Sequence, residues 1–189
     1  MIYETIITTR NGDGTVHIAP MGIHVEHDRY LIQPFKPSTT LDNLARTRQA
    51  IINMTDDVMI FAGCLTGHRQ WPTCKAQRID SEVLQAALDH VEVEVDTFEE
   101  DELRPKFYCK AVYRENHYPF RGFNRAQAAV LEAAILVSRL HRLPLEKIEN
   151  EIRYLQIAVD KTAGERERTA WGWLMARIEE HKQEQQAAQ

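Results

Sequence analysis

Gln33-Pro34-Phe35-Lys36-Pro37-Ser38-Thr39-Thr40-Leu41-Asp42-Asn43-Leu44 ends a β-like run and brings a cation, three hydroxyls and a helix start into a few residues. Side-chain hydroxyls and the unpaired N–H groups of a first helical turn converge on phosphate oxygens, and the lysine adds a charge that neutral donors lack. The same residues suit ordinary capping. Thr39 or Thr40 can close a helix over residues 41–48, with Asp42 favoured by the dipole in its first turn.

Upstream, residues 3–9 (YETIITT) and 15–25 (TVHIAPMGIHV) flank Arg10-Asn11-Gly12-Asp13-Gly14. Asn-Gly and Asp-Gly accept the positive φ of tight turns, and the flanks are rich in β-branched residues, so this reads as a hairpin. Pro20 cannot donate to a ladder, which predicts an edge, bulge or break there, while Gly22 allows a backbone or flat ligand to come close. A third run, residues 29–34, follows the turn at His27-Asp28. A fourth, residues 50–55, follows the helix and sets a polar Asn53 among apolar residues.

In this order the residues resemble the FMN-binding split barrels related to flavin reductases, in a branch catalogued as a domain of unknown function. The resemblance is carried by the Asn-Gly-Asp-Gly turn, His17-Ile18-Ala19-Pro20-Met21-Gly22, the loop from Pro34 to Thr40, Asn43-Leu44 and Asn53-Met54-Thr55-Asp56-Asp57. Phe123-Asn124-Arg125-Ala126 and the stretch from Lys161 to Arg168 extend it over nearly the whole chain. It implies an α+β protein, an antiparallel split β-barrel with a C-terminal helical layer. It also implies FMN as cofactor: Lys36, Ser38, Thr39 and Thr40 at the phosphate, with Asn43 close by, Met21 and Gly22 where a strand break meets the flavin, and Asn53, Met54 and Thr55 along its edge. A homodimeric oxidoreductase is the expected working unit, with NAD(P)H or another small molecule as donor. A non-catalytic FMN carrier and a cofactor-free interaction module are the alternatives. A buried Asn53 amide needs hydrogen-bond partners, and either a flavin or a network inside the sheet can supply them.

The 189 residues suit one medium domain or a barrel with a helical appendage. The net charge of −5 argues against nucleic-acid binding, which draws on many lysines and arginines, but it allows a local basic pocket from Lys36 with Arg46 or Arg48. The acidic run of residues 94–102 reads as a solvated strand end and loop. Three cysteines at irregular intervals form neither a disulfide framework nor a zinc pattern. With no apolar run of bilayer length and no basic-then-apolar start, a cytoplasmic protein without membrane contact is expected.

Residues 58–62 (VMIFA) read as another strand, 81–89 as a short helix, and 90–96 as a strand with one apolar and one wet face. Residues 106–117 form a long strand, with Phe107, Cys109, Ala111 and Tyr113 on one face. From Tyr118 the character changes. Asn124 caps a helix to about residue 140, Pro144 resets the chain, and two amphipathic helices over 145–159 and 165–181 follow, which predicts a barrel domain over 1–118 and a helical subdomain over 119–189. Arg166 and Arg168 suit a phosphate or a solvated helix face. His24 with His27, and His68 with Cys74, lack metal-site spacing, so no metal is expected. No nucleophile elbow, Gly-x-Gly-x-x-Gly or P-loop occurs, which disfavours a hydrolase or a Rossmann dehydrogenase.

Overall fold

The computed structural model describes residues 1–26 and 29–187, so the His27-Asp28 turn and the His24–His27 pair lie outside the described residues. The elements are β1 (Ile2–Arg10), β2 (Val16–Glu26), β3 (Arg29–Ile32), α1 (Thr39–Thr47), β4 (Gln49–Met54), α2 (Val58–Leu65), β5 (Thr73–Lys75), β6 (Glu82–Leu84), β7 (Asp89–Glu99), β8 (Lys106–Asn116), α3 (Arg125–Val137), α4 (Leu145–Thr162) and α5 (Glu165–Ala187). Two units are distinguished, Met1–Asp56 with Gln70–Phe120, and Asp57–Arg69 with Arg121–Gln189.

In the first unit β1-β2-β3-β8-β7-β4 close an antiparallel barrel. The expected β1–β2 hairpin forms. Asn11 N–H donates to Thr15 O at 2.8 Å, Gly14 N–H donates to Asn11 O at 3.1 Å, and the positive φ falls on Gly14 at 85°. Pro20 pairs with Ile6, and among the described residues β3 pairs with β2 only at His24, Val25 and Glu26, so Pro20 sits outside the β2–β3 ladder. Alternation sends Ile7, Ile23, Ile52, Val91, Val93, Phe107 and Cys109 inward to one cluster closed by Leu44 of α1. Burying each large side chain of this kind contributes about 1.5–3 kcal/mol.

Several expectations change. Residues 58–62 are helical, because Asp57 caps α2 by accepting from Met59 N–H at 3.3 Å and the apolar run is buried nearly all round. A short apolar run carries no period to separate the two states. That helix belongs to the second unit. Residues 82–84 form a strand paired with β5 where a helix was expected. β7 does not keep a wet face in its first half: Asp89 through Val93 are all buried, and the carboxyl group of Glu92 accepts from the N–H groups of Gln77, Arg78 and Ile79 at 2.6, 2.8 and 3.0 Å. In β8 the expected single face breaks at a register shift opposite Glu92 and Val93, which leaves Ala111 exposed.

Asn53 accounts for much of this. It lies between the inward-facing residues Ile52 and Met54 and so faces out of the barrel, yet it is fully buried. Its Nδ2 donates to Ile6 O at 3.0 Å and to Thr8 Oγ1 at 3.3 Å, and its Oδ1 accepts from Leu84 N–H at 2.9 Å. Thr8 Oγ1 in turn donates to Glu82 O at 2.6 Å. The β5–β6 hairpin is thus held on the outer face of β1 and β4 by side-chain amide and hydroxyl groups, which turns its backbone groups away from a helix.

In the second unit Asn124 caps α3 as expected, accepting from Ala126 and Gln127 N–H at 2.8 and 3.3 Å, and its Nδ2 donates to Thr162 O at 3.2 Å at the end of α4. Ala126, Ala129, Val130, Ala133, Leu136 and Val137 form the buried stripe of α3. On α5, Ala170, Trp171, Leu174 and Ile178 are buried, and Trp171 Nε1 donates to Gln156 Oε1 of α4 at 2.8 Å. Asp57 at the start of α2 pairs with Arg166 of α5, whose Nε donates at 3.2 Å.

Two outcomes test this arrangement. Asn53→Ala strands buried partners, Leu84 N–H first, and should cost about 1–3 kcal/mol of unfolding free energy in urea without any cofactor; an unchanged midpoint would contradict the network. Cys64 and Cys109 are buried and Cys74 is exposed, and burial pushes the Cys109 thiol up to about 12. Because the thiolate is the reactive form, a disulfide reagent should label Cys74 quickly in native protein and all three thiols only after denaturation. Fast native labelling of Cys109 would contradict its place in the barrel.

Candidate functional site

The interior ladder of the barrel ends in a row that crosses several strands. Thr5 lies opposite Met21, Met54 opposite Asp89, and Asp89 opposite Asn116. Thr5, Met54 and Asp89 stand two residues from Ile7, Ile52 and Val91, so period-two alternation points them toward the same interior. A cavity of about 490 Å³ opens here, lined by Tyr3, Glu4, Met54, Asp89, Arg114 and Tyr118 among others. That size lies within the range of small-molecule sites.

Its polar centre is Asp89. Arg114 Nε donates to Asp89 Oδ2 at 3.1 Å, and Asn116 Nδ2 donates to the same oxygen. The residue is only 8% exposed, and its Oδ1 is buried with no hydrogen-bond partner among the described residues. A buried acceptor left open beside an arginine suits a ligand that offers an N–H next to a carbonyl or another acceptor. Tyr3, Tyr118 and Phe120 give the cavity an exposed aromatic rim. Behind the Asp89 wall, burial together with the neighbouring His117 pushes the His90 imidazole below its ordinary range.

The residues expected at the site fall into two neighbourhoods. Met54 and Thr55 line the cavity, with Thr55 Oγ1 donating to Ala86 O at 2.7 Å. Met21 accepts through its carbonyl from Thr5 Oγ1 at 2.9 Å, and Gly22 lies opposite the cavity residue Glu4. A Cβ on Gly22 would come within 3.1 Å of Ile2 Cγ2 and 3.2 Å of Glu4 Oε1, so its lack of a side chain serves the packing of β1 against β2. Asn53 sits next to this group with its amide committed inside the barrel unit.

Lys36, Ser38, Thr39, Thr40 and Asn43 form the second neighbourhood and do not line the cavity. Ser38, one residue before the expected Thr39, is the cap of α1, with Oγ accepting from Leu41 N–H at 3.3 Å. Thr39 is exposed and Thr40 is buried. Lys36 pairs with Glu100, and its N–H donates to Leu103 O at 2.9 Å. Asn43 Nδ2 donates to Thr9 Oγ1 at 3.0 Å and Asn11 Oδ1 at 2.9 Å, which ties α1 to the end of the first hairpin. The basic pocket expected from Arg46 or Arg48 is not assembled: Arg46 donates to Arg10 O and Asn43 Oδ1, and Arg48 donates to Val95 O at 3.0 Å. Arg166, bound to Asp57, belongs to the helical unit.

Asp89, Arg114 and Asn116 went unnoticed in the sequence because they are joined only by cross-strand register. An acidic residue opening a strand and a basic one near the end of the next were the available signal. Among the described residues no helix is long and apolar enough to cross a membrane.

Comparison with known proteins agrees with this architecture. The chain resembles an FMN-bound protein from Methanosarcina mazei assigned to DUF447, at 21% identity and a TM-score of 0.80, with 93% of this chain and 94% of that chain covered. It resembles an FMN-binding protein from Thermus thermophilus with bound p-hydroxybenzaldehyde at 14% identity and a TM-score of 0.54, covering 64% of this chain and 74% of that one. An NADH:FAD oxidoreductase from Streptomyces globisporus aligns at 10% identity and a TM-score of 0.51, covering 60% and 70%. These likenesses show the fold, an antiparallel split β-barrel accompanied by helices. No curated protein matches the chain in sequence. Residues 3–118 match the N-terminal domain, and residues 124–176 the following part, of a protein family of unknown function; the chain belongs to that family, DUF447.

Proposed function

We propose that this protein binds FMN and works, as a homodimer, as an oxidoreductase on a small molecule, with NAD(P)H or another small donor supplying the electrons. The observation that carries the reading is the likeness over 93% of the chain to an FMN-bound protein of the same family. The NADH:FAD oxidoreductase of the same fold supports the redox part.

The donor set suits the group. Thr39 is exposed at the first turn of α1, beside Ser38 and Lys36, where N–H groups, hydroxyls and an ammonium can meet a terminal phosphate once Lys36 exchanges Glu100 for it. When bound, FMN supplies hydride acceptance and donation. The chain's residues at the start of α1 would anchor the phosphate.

Binding of FMN and riboflavin, followed by flavin fluorescence, tests the reading. FMN should bind at least about tenfold more tightly, and Thr39→Ala should weaken FMN by about 1.5–3 kcal/mol, the range for a hydrogen bond to a charged group, with little effect on riboflavin. Equal affinity for the two flavins would remove the phosphate site. Anaerobic NAD(P)H should bleach the bound flavin; no bleaching with any pyridine nucleotide would remove that donor.

A further inference from the structure

The strand pair that carries Asp89 and Asn116 to the cavity carries a second cluster on its other face. His90 and Glu115 are cross-strand partners one residue along, and His117 follows β8 directly. His90 Nδ1 and His117 Nε2 lie 2.8 Å apart, with the rings stacked at 4.9 Å between centroids and 7° between planes. One ring nitrogen from each histidine and one carboxylate oxygen of Glu115 all fall within 4.8 Å of one another. Tyr113 OH donates to Glu115 Oε2 at 3.1 Å. Behind His90, the buried Nε2 has no hydrogen-bond partner among the described residues and lies 3.6 Å from Glu92 Oε1, whose carboxyl group is itself held by three backbone N–H groups.

We propose that His90, Glu115 and His117 form a binding site for a divalent transition-metal ion of the zinc class, held by His90 Nδ1, His117 Nε2 and a Glu115 oxygen. Two imidazoles and one carboxylate favour zinc and its neighbours over magnesium or calcium, which take oxygen donors. Three protein ligands leave a fourth position for water. Two imidazole nitrogens this close can share one proton, whereas an ion between them engages both lone pairs. Tetrahedral bonds of about 2.0–2.1 Å need the nitrogens roughly 3.3 Å apart, an opening of about half an ångström. The second set of contacts has the form that metal sites use to orient their ligands: Glu92 faces the far nitrogen of His90, and Tyr113 holds the other oxygen of Glu115. His90 is buried and His117 is exposed, so an ion has a path in from solvent.

The site has a structural consequence that does not rest on the FMN reading. An ion there fastens residue 117 to β7, and residues 118–120 directly after it line the cavity. Metal binding therefore sets the position of the aromatic rim.

Full-length protein stripped with EDTA and titrated with Zn²⁺ by calorimetry, then with Co²⁺ by absorption, tests the proposal. One Zn²⁺ per chain is expected, with the visible bands of a four-coordinate Co²⁺ ion. His117→Ala and Glu115→Gln should each weaken Zn²⁺ binding at least about tenfold, and Tyr113→Phe should do so by about 10–100-fold. These side chains are exposed or half-buried, so the variants fold, and melting in EDTA verifies it. Wild-type affinity in the double variant His117→Ala/Glu115→Gln would place the ion elsewhere and overturn the site. So would a wild type whose melting temperature Zn²⁺ does not raise while His117→Ala lowers it in EDTA, since that marks a hydrogen-bonded histidine pair and no more.

Discussion

The amide of Asn53 is the contact on which the rest of the barrel unit depends. Its Nδ2 reaches the carbonyl of Ile6, and Ile6 and Ile51 are fully buried although they lie outside the interior cluster. The β5–β6 hairpin lies against β1 and β4 here, and its Val83 and Leu84 are themselves 2% and 1% exposed. A three-residue strand pair has little stability of its own, and its place is set by hydrogen bonds from Asn53 and Thr8 together with this burial.

From that anchor the chain returns to the cavity. Thr55 binds Ala86 O, and Leu88 N–H donates to Met54 O at 2.8 Å, so the turn after the hairpin is tied to the end of β4. The next residue is Asp89, which opens β7 with its side chain toward the interior. The outer face of the same strand is dry as well, because residues 77–79, in the loop between β5 and β6, point their N–H groups at Glu92. One covering segment thus makes the strand two-faced: Asp89 at the cavity on one side, and a histidine facing a carboxyl group on the other.

How much of this the sequence disclosed follows from the range of each interaction. The first hairpin, the capped helices and the long strands were legible because turn chemistry, capping and period act over a few residues, as at Gly14 and Asn124. Residues 58–62 misled because five apolar residues have no decisive period, and the cap at Asp57 made them a helix. Residues 82–84 misled because their partners are Thr8 and Asn53, far away in sequence. Around the cavity, Met54 and Thr55 are among the residues that their order in the sequence had singled out, whereas the hydroxyl loop does not line it. Asp89 with Arg114, and His90 with Glu115 and His117, were not, since register across a bulged strand pair brings each set together. For Asn53 the sequence allowed a flavin contact or an internal network; the structure fills its bonding capacity with the network, and the open acceptor beside it belongs to Asp89.

The absorbance spectrum of protein purified without added cofactor, with identification of whatever chromophore heat releases, tests the central claim most directly. The account predicts an oxidised flavin spectrum and release of FMN at close to one per chain. A colourless protein that stays colourless after incubation with FMN and gel filtration would contradict it.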